Sequence, residues 1–292
     1  MNNRIRKNTN TLILLLPWLI TLTVFWIYPL GFAIFMSLTK YQTLTNSFQF
    51  IGFENYFNIF KDDIFWKALF NTSFFTFGTV PITTLSALIL ASILNSKFVK
   101  HKEIFRASYF LPSVSSLVVI SLIFTNLYAK DGYVNALFAM LGLPQSELGF
   151  LQNPSSSLIA IMLMDIWISI GYYVVLFLAG LQTVPQDLYD AAKLNGASSY
   201  QQFVRITIHL IKPTLLFVIV INTIKSFQIF VEIYVMTKGG PLNSTMTLVY
   251  QVYVNAFEKT DGMGYASALA LLIFLILIAF SLIQIKLLRW NK

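Results

Sequence analysis

Six runs of mainly apolar residues decide what this chain can fold into, each close to the roughly 20 residues a helix needs to cross a bilayer. They fall at Thr11–Leu38, Ser73–Leu94, Ser108–Ala129, Leu158–Leu181, Thr214–Met236 and Tyr265–Lys286. Charged residues make up 11% of the chain against 57% apolar, and mean hydropathy is +0.70. Soluble domains carry about 25% charge, so this composition belongs in lipid. The expected architecture is all-α: a short N-terminal tail over residues 1–10, then one transmembrane domain over residues 11–292. Arg4, Arg6 and Lys7 before the first run have the look of a signal peptide. That run is longer than the roughly 7–15 apolar residues of a cleavable segment and no A-x-A site follows, so it reads as a retained helix. The absence of cysteine excludes disulfides and thiolate metal sites.

An even number of spans puts both termini on one side, and the basic residues say which. Arg4, Arg6, Lys7, Lys97, Lys100, Lys102, Arg106, Lys193, Arg205, Lys212, Lys286, Arg289 and Lys292 lie on the side of the termini. They outnumber Lys40, Lys61, Lys67, Lys130, Lys238 and Lys259 opposite. The positive-inside rule then predicts cytoplasmic termini. The net charge of +8 is read as this orientation signal and not as a nucleic-acid surface. Trp26, Tyr28, Tyr128 and Trp290 fall near span ends, where aromatic belts form.

The longest cytoplasmic connection, residues 182–213, interrupts this pattern. Pro185 precedes a helical run, Gln186–Leu194, and Asn195-Gly196 supplies a left-handed stop. Ser198 and Gln201 have capping-box spacing and open a second helix running to about His209. Ala191 and Ala192 keep the first helix thin on one side, suited to docking in a partner's groove. The competing reading is an amphipathic helix lying on lipid, but the dense Lys/Arg face of such helices is missing.

Here the chain resembles the binding-protein-dependent ABC permeases with an EAA loop, whose pattern is E-A-A, three residues, G, nine residues, I-x-L-P. Asp190-Ala191-Ala192, Gly196 and Ile206-Thr207-Ile208-His209 match its spacing, with Asp for Glu, Asn195 for a frequent Asp and His209 for Pro. Further elements resemble the carbohydrate-uptake branch: Ile51-Gly-Phe-Glu-Asn-Tyr56, Ala68-Leu-Phe-Asn-Thr72, Arg106 through Pro112, and Ala179-Gly-Leu-Gln182. Phe227-Gln-Ile-Phe230 and Thr237-Lys-Gly-Gly-Pro241 are similar to elements of the maltose-type first permease. The acid common after its second Phe is missing at Val231, with Glu232 as a displaced equivalent.

The resemblance implies a six-helix type I importer permease in a bacterial-type cytoplasmic membrane. It implies a second homologous permease, two ATPase subunits that hold ATP and Mg, an extracellular solute-binding protein, and a sugar as cargo. Coupling to the ATPase would fall to Asp190, Ala191, Ala192, Asn195 and Gly196.

Charges inside spans face cavities or partners, and the spans hold three: Asp165, Lys225 and Glu232. Lys225, Gln228 and Glu232 share one helical face bordered by Asn222, with Phe227, Phe230 and Tyr234 on the same helix. Such a mixture of polar groups and aromatic faces suits a neutral sugar. A purely structural pairing of Lys225 with Glu232, or with the second permease, stays open. So does the choice for Asp165 between sugar contact and helix bridging. Gly239, Gly240, Pro241 and Asn243 form a glycine-rich loop that shapes either a gate, a binding-protein contact or a plain turn. The Asn71-Thr-Ser73 and Asn243-Ser-Thr245 sequons read as coincidence.

No G-x-x-x-x-G-K-[ST] occurs, His101 and His209 are isolated, and no nucleophile motif is present. The sequence therefore predicts no enzyme and no cofactor in this chain. The leading function is oligosaccharide or glycoside import driven by ATP hydrolysed elsewhere. A glycerol phosphate or small-solute importer is the alternative, since Lys225 suits an anion. A self-sufficient secondary transporter would show inverted repeats, which the sequence lacks.

Overall fold

The structure is a computed structural model that describes residues 14–42, 47–96 and 99–289. Arg4, Arg6, Lys7, the start of the first apolar run, Lys97, Trp290 and Lys292 lie outside the described residues. Two compact units account for the chain.

The first unit comprises residues 1–62 and 251–275. Helix α1 (Leu14–Ser37) is long and apolar enough to cross a membrane, and includes a π-helical turn at Thr23–Ile27. A small hairpin follows, β1 (Thr39–Gln42) pairing antiparallel with β2 (Ser47–Phe50), the only strands among the described residues. The Gly52 backbone then turns at φ +59° into α2 (Glu54–Lys61). The Gly-Phe-Glu-Asn-Tyr segment has a clear physical purpose. Asn55 Nδ2 donates to the carbonyls of Ser37 and Thr39 at 2.8 and 3.0 Å, and the Tyr56 hydroxyl reaches Ser37 Oγ. These bonds satisfy acceptors that the end of α1 leaves free. In the same unit, Asp62 accepts from the Tyr265 hydroxyl and from Gln251.

The second unit, residues 63–250 and 276–292, is built on two long helices, α3 (Asp63–Asn95) and α7 (Ser157–Gln182). Thr72, Thr76, Thr79 and Thr83 recur at helical spacing along the buried stripe of α3, and Gly78 meets Met162 of α7. Small residues let membrane helices approach closely, and dispersion between them replaces the missing hydrophobic drive. Ala87, Leu88 and Ala91 pack with Tyr173, Phe177 and Leu181, and Val218 of a later helix completes this core.

Around this pair run α4 (Lys102–Val114), α5 (Leu117–Leu127) and α6 (Tyr133–Met140). Beyond α7 come α8 (Gln186–Leu194), α9 (Ser199–Gln202), a π turn at Phe203–Thr207 and α10 (Ile208–Leu210). They are followed by α11 (Lys212–Phe227) and α12 (Val231–Met236). Helices α13 (Leu248–Tyr253) and α14 (Met263–Arg289) contribute residues to both units.

Five helical stretches are long and apolar enough to span, and α4 with α5 supplies the sixth crossing when counted as one. The third run departs from the single helix expected over Ser108–Ala129: its halves meet at 92°. Pro112 brings no N–H, and Ser115 and Ser116 adopt extended backbone. The fifth run is also interrupted, because Gln228 and Phe230 leave the helical region between α11 and α12. The segment Thr237–Gly262, an external loop by the span count, contains α13 and a π turn at Val254–Glu258.

Helix α4 lies so close to α7 that a Cβ at Gly171 would collide with the Tyr109 carbonyl. Gly171→Val should therefore lower stability by about 3 kcal/mol, read as a fall in the thermal unfolding midpoint of the purified chain. Gly31→Val, where nothing lies within 4 Å, should leave that midpoint unchanged.

Candidate functional site

The breaks in the third and fifth runs flank a cavity of 380 Å³ lined by Ser113, Ser115, Ser169, Tyr172, Tyr173 and Lys225, among others. Lys225, in the last turn of α11, reaches across to α7. Its Nζ lies 3.1 Å from Asp165 Oδ1 and also donates to Ser169 Oγ, which in turn donates to Asp165 at 3.2 Å. Asp165 is 3% exposed and Lys225 is 44% exposed, so the lysine carries the accessible end of a largely buried pair. The ion pair thus runs between two helices and not along one helix to Glu232.

Glu232 is buried in the first turn of α12, just past the interruption. It stands within electrostatic reach of both Asp165 and Lys225. The interruption removes the single polar face expected for Lys225, Gln228 and Glu232, because helical periodicity does not carry across it. Gln228 sits at the C-terminal cap of α11 with an exposed side chain. Asn222 is fully buried and turns to Thr84 of α3, while Phe227 packs on Phe280. Phe230 stacks on Tyr234, their rings 5.6 Å apart. The structure therefore brings Asp165, Lys225 and Glu232 together and directs Asn222 and Phe227 elsewhere.

Sequence reasoning missed Ser113, Ser169 and Tyr173. The Tyr173 ring is buried, and its hydroxyl has no protein partner among the described residues. A buried hydroxyl lining a cavity without a partner is one a ligand or a water would satisfy. The readable signal for Ser113 was Pro112-Ser-Val-Ser-Ser116, a break within an apolar run, since non-helical backbone at membrane depth occurs beside cavities.

A second region is the elbow between α7 and α11. Gly196 has φ +74°; its N–H bonds Lys193 O, and Ala197 N–H bonds Ala192 O. These two bonds define a Schellman ending, which Asn195 reinforces by donating to Ala191 O at 2.9 Å. Ser198 and Gln201 close a reciprocal capping box. Tyr189 and Thr207 join the two arms through a 2.7 Å hydroxyl contact, fixing their angle. No residue of α8 is buried, and Leu194 is 90% exposed. Asp190 faces outward with Lys193 and Gln186 as its neighbours.

The glycine-rich loop is tightly tied. Lys238, Gly239, Leu242 and Asn243 all have left-handed backbone, and Gly240–Pro241 is cis. Asn71 donates to Asn243 O and Met246 O, Leu248 N–H donates to Thr72 Oγ1, and Thr245 donates to Gly240 O. With Asn71 buried in these contacts, its sequon has a packing purpose. A 990 Å³ cavity opens beside the loop, lined by Thr237, Gly240 and Pro241 together with Tyr128 and Gln152. Among the described residues, no group of three or more His, Asp or Glu could hold a metal ion.

Residues 85–289 match the family described as binding-protein-dependent transport system inner membrane component. Over 278 residues the chain is 34% identical to the lactose transport system permease protein LacF of Rhizobium radiobacter, covering 94% of this chain and 93% of that protein. Identity to the trehalose/maltose transport system permease protein MalF of Thermococcus litoralis is 31% over 281 residues, with 96% and 94% covered. A chain from the crystal structure of a bacterial alginate ABC transporter, in complex with an alginate pentasaccharide-bound periplasmic protein, has the same fold. It superposes with a TM-score of 0.84 at 21% identity, covering 98% of this chain and 96% of that one.

Removing either half of the Asp165–Lys225 pair leaves a charge without its partner. Lys225→Met should cost about 3 kcal/mol, the low end for a broken buried pair because the lysine is half-exposed. Adding Asp165→Leu should recover most of that loss, measured as thermal midpoints of the two variants.

Proposed function

This chain belongs to the family of binding-protein-dependent transport system inner membrane components, and from that membership we infer that it is the permease subunit of an ATP-driven importer for a neutral oligosaccharide or related glycoside. It is a multi-pass membrane protein and a transport subunit, not an enzyme. The cargo class is supported by the relatives, named for lactose and for trehalose/maltose, and by the chemistry of the cavity. Hydroxyls of Ser113, Ser115, Ser169 and Tyr173 line it with the ring of Tyr172. This is the mixture of donors, acceptors and flat apolar faces that a sugar requires.

Import of a phosphate ester draws support only from Lys225. That lysine is already engaged by the buried Asp165, whose charge offsets its own and disfavours an anion at this point.

The observation that carries the coupling proposal is the bare helix α8, closed at its C-terminus by the Gly196 ending, braced by Tyr189–Thr207 and buried nowhere. In this reading α8 seats in a groove of a separate ATPase that holds ATP and Mg, with Asp190, Ala191, Ala192, Asn195 and Gly196 as the docking segment. The termini and α8 face the cytoplasm, in keeping with the basic residues of that side. A second permease completes the pathway, and the Gly239–Asn243 loop meets an extracellular solute-binding protein or gates the 990 Å³ cavity beside it. ATP binding changes the spacing of the two α8 helices, and each permease follows. Nucleotide biases the two openings only by its differential affinity for them.

Because the chain has no cysteine, Ala192→Cys introduces a unique thiol in this subunit. In membranes holding the assembled importer, a thiol-reactive photocrosslinker at this position should capture the ATPase. Capture of phospholipid alone would sink the coupling proposal. Tyr173→Phe should raise the solute concentration for half-maximal uptake by about tenfold, the equivalent of one hydrogen bond, with an unchanged thermal midpoint. Alanine at both Gln228 and Glu232 should lower uptake as well; normal uptake and preference in an assembled complex would remove them from the path.

A further inference from the structure

Ser113 is placed unlike any other hydroxyl of the described bundle. Its Oγ donates to the Ile168 carbonyl at 2.6 Å and accepts from the Tyr172 N–H at 3.1 Å. Residues 168 and 172 are the i−4 and i partners that an α-helix normally bonds to each other. A side chain from α4 therefore engages both ends of one rung of α7.

Two features hold it there. The Tyr109 carbonyl presses on α7 at Gly171, where no Cβ fits, so α4 sits close enough for a short serine to reach. Ser113 also occupies the last turn of α4, directly after Pro112 and directly before the 92° bend into α5. The next residue along α7 from the engaged carbonyl is Ser169. Its hydroxyl receives Lys225 and donates to Asp165.

We propose that Ser113 is a positioning residue for transport: as α4 swings about the Val114–Leu117 break, its hydroxyl enters and leaves the Ile168–Tyr172 rung of α7 and so sets whether Ser169 bridges Lys225 and Asp165 across the cavity. This rests on the reading of that cavity as the solute path. With the hydroxyl inserted, both backbone groups are satisfied by serine; with it withdrawn, they bond each other directly. The Ile168 and Tyr172 backbone groups are bonded in both arrangements, and on withdrawal the Ser113 hydroxyl turns to the cavity it already lines, so the two lie close in energy and a modest push selects between them. An inserted side chain also bends a helix by opening its ladder. Entry and exit of Ser113 thus re-aims the part of α7 that carries Asp165 and Ser169, and the hinge in the third span acquires a consequence at the ion pair.

The test uses the complete importer, co-expressed with its partner subunits and reconstituted in nanodiscs, with MgATP and vanadate as the probe. Backbone hydrogen exchange is followed at Tyr172 in the nucleotide-free and vanadate-trapped states. In the unmodified protein the Tyr172 amide should exchange about tenfold faster in the state that leaves it on the cavity-facing serine hydroxyl than in the state that returns it to the Ile168 carbonyl inside the helix. Ser113→Ala should abolish that difference and slow ATP turnover with an unchanged KM for ATP. Ser113→Thr, which keeps the hydroxyl, should restore both.

Equal exchange at Tyr172 in the two states of the unmodified protein would overturn the proposal, with no need for any variant to fold. So would a state-dependent change that persists in Ser113→Ala. Either result leaves the importer reading intact so long as Ala192→Cys still captures the ATPase, and loss of that capture would strike the reading itself.

Discussion

A backbone that leaves helical geometry inside a bilayer exposes amides and carbonyls that lipid cannot bond, and each one left unmet costs several kcal/mol. Among the described residues this chain does so at Ser115–Ser116 and at Gln228–Phe230. Both breaks are covered by protein: α5 packs against α12, while α4 and α11 pack against α7. Ser113 and Ser115 beside the first break, and Lys225 in the turn before the second, line a cavity of 380 Å³. Interrupted helices placed around a polar site are a recurring solution in transporters, because the same freed groups that threaten stability can serve cargo.

Elsewhere the bundle spends its polar residues on fixing geometry. Asn71 and Thr72 of α3 hold the Gly239–Asn243 loop through backbone acceptors and a donor near one end of the unit. Ser157 of α7 meets Ser244 at 2.9 Å from a second direction. Three left-handed residues other than glycine, Lys238, Leu242 and Asn243, would be costly in so short a stretch if free. Held at several points, the loop offers a stiff wall to the cavity beside it. Asn55 performs the same service for the end of α1 in the other unit.

How much of this could be read from the residues follows from where the physics is local. Length and apolarity determine spans, and α7 over Ser157–Gln182 falls within a residue of the Leu158–Leu181 expected. Turn chemistry is local too: Asn195-Gly196 and the Ser198–Gln201 box form as their spacing predicts. The breaks were harder. Pro112 alone does not end a membrane helix, as Pro81 shows by sitting inside α3 without interrupting it, so the bend depends on Ser115 and Ser116 and on what α5 packs against. The partner of Lys225 was beyond periodicity altogether. Glu232 is seven residues away along the chain, whereas Asp165 is brought in only by the packing of α11 on α7.

That packing explains why an elbow and a distant cavity belong to one machine. The segment 182–213, which carries the bare helix α8, is the connection between α7 and α11, and those two helices are joined at both ends of their shared length. Near the elbow, the Thr214 side chain fills the space that Gly180 leaves open. Roughly 20 Å away by helical rise, Lys225 grips Asp165. Two attachments separated by that distance resist relative tilt better than either alone. In the proposed coupling, a push on α8 would pass through the Tyr189–Thr207 contact into α11 and be shared by the pair. Facing the pair is α4, which packs closely along α7 at Gly171 and through the Ser113 hydroxyl and yields only where it ends, at the bend into α5. Rigid transmission on one side of the cavity and a hinged span on the other is the minimum needed to open a path on alternate sides.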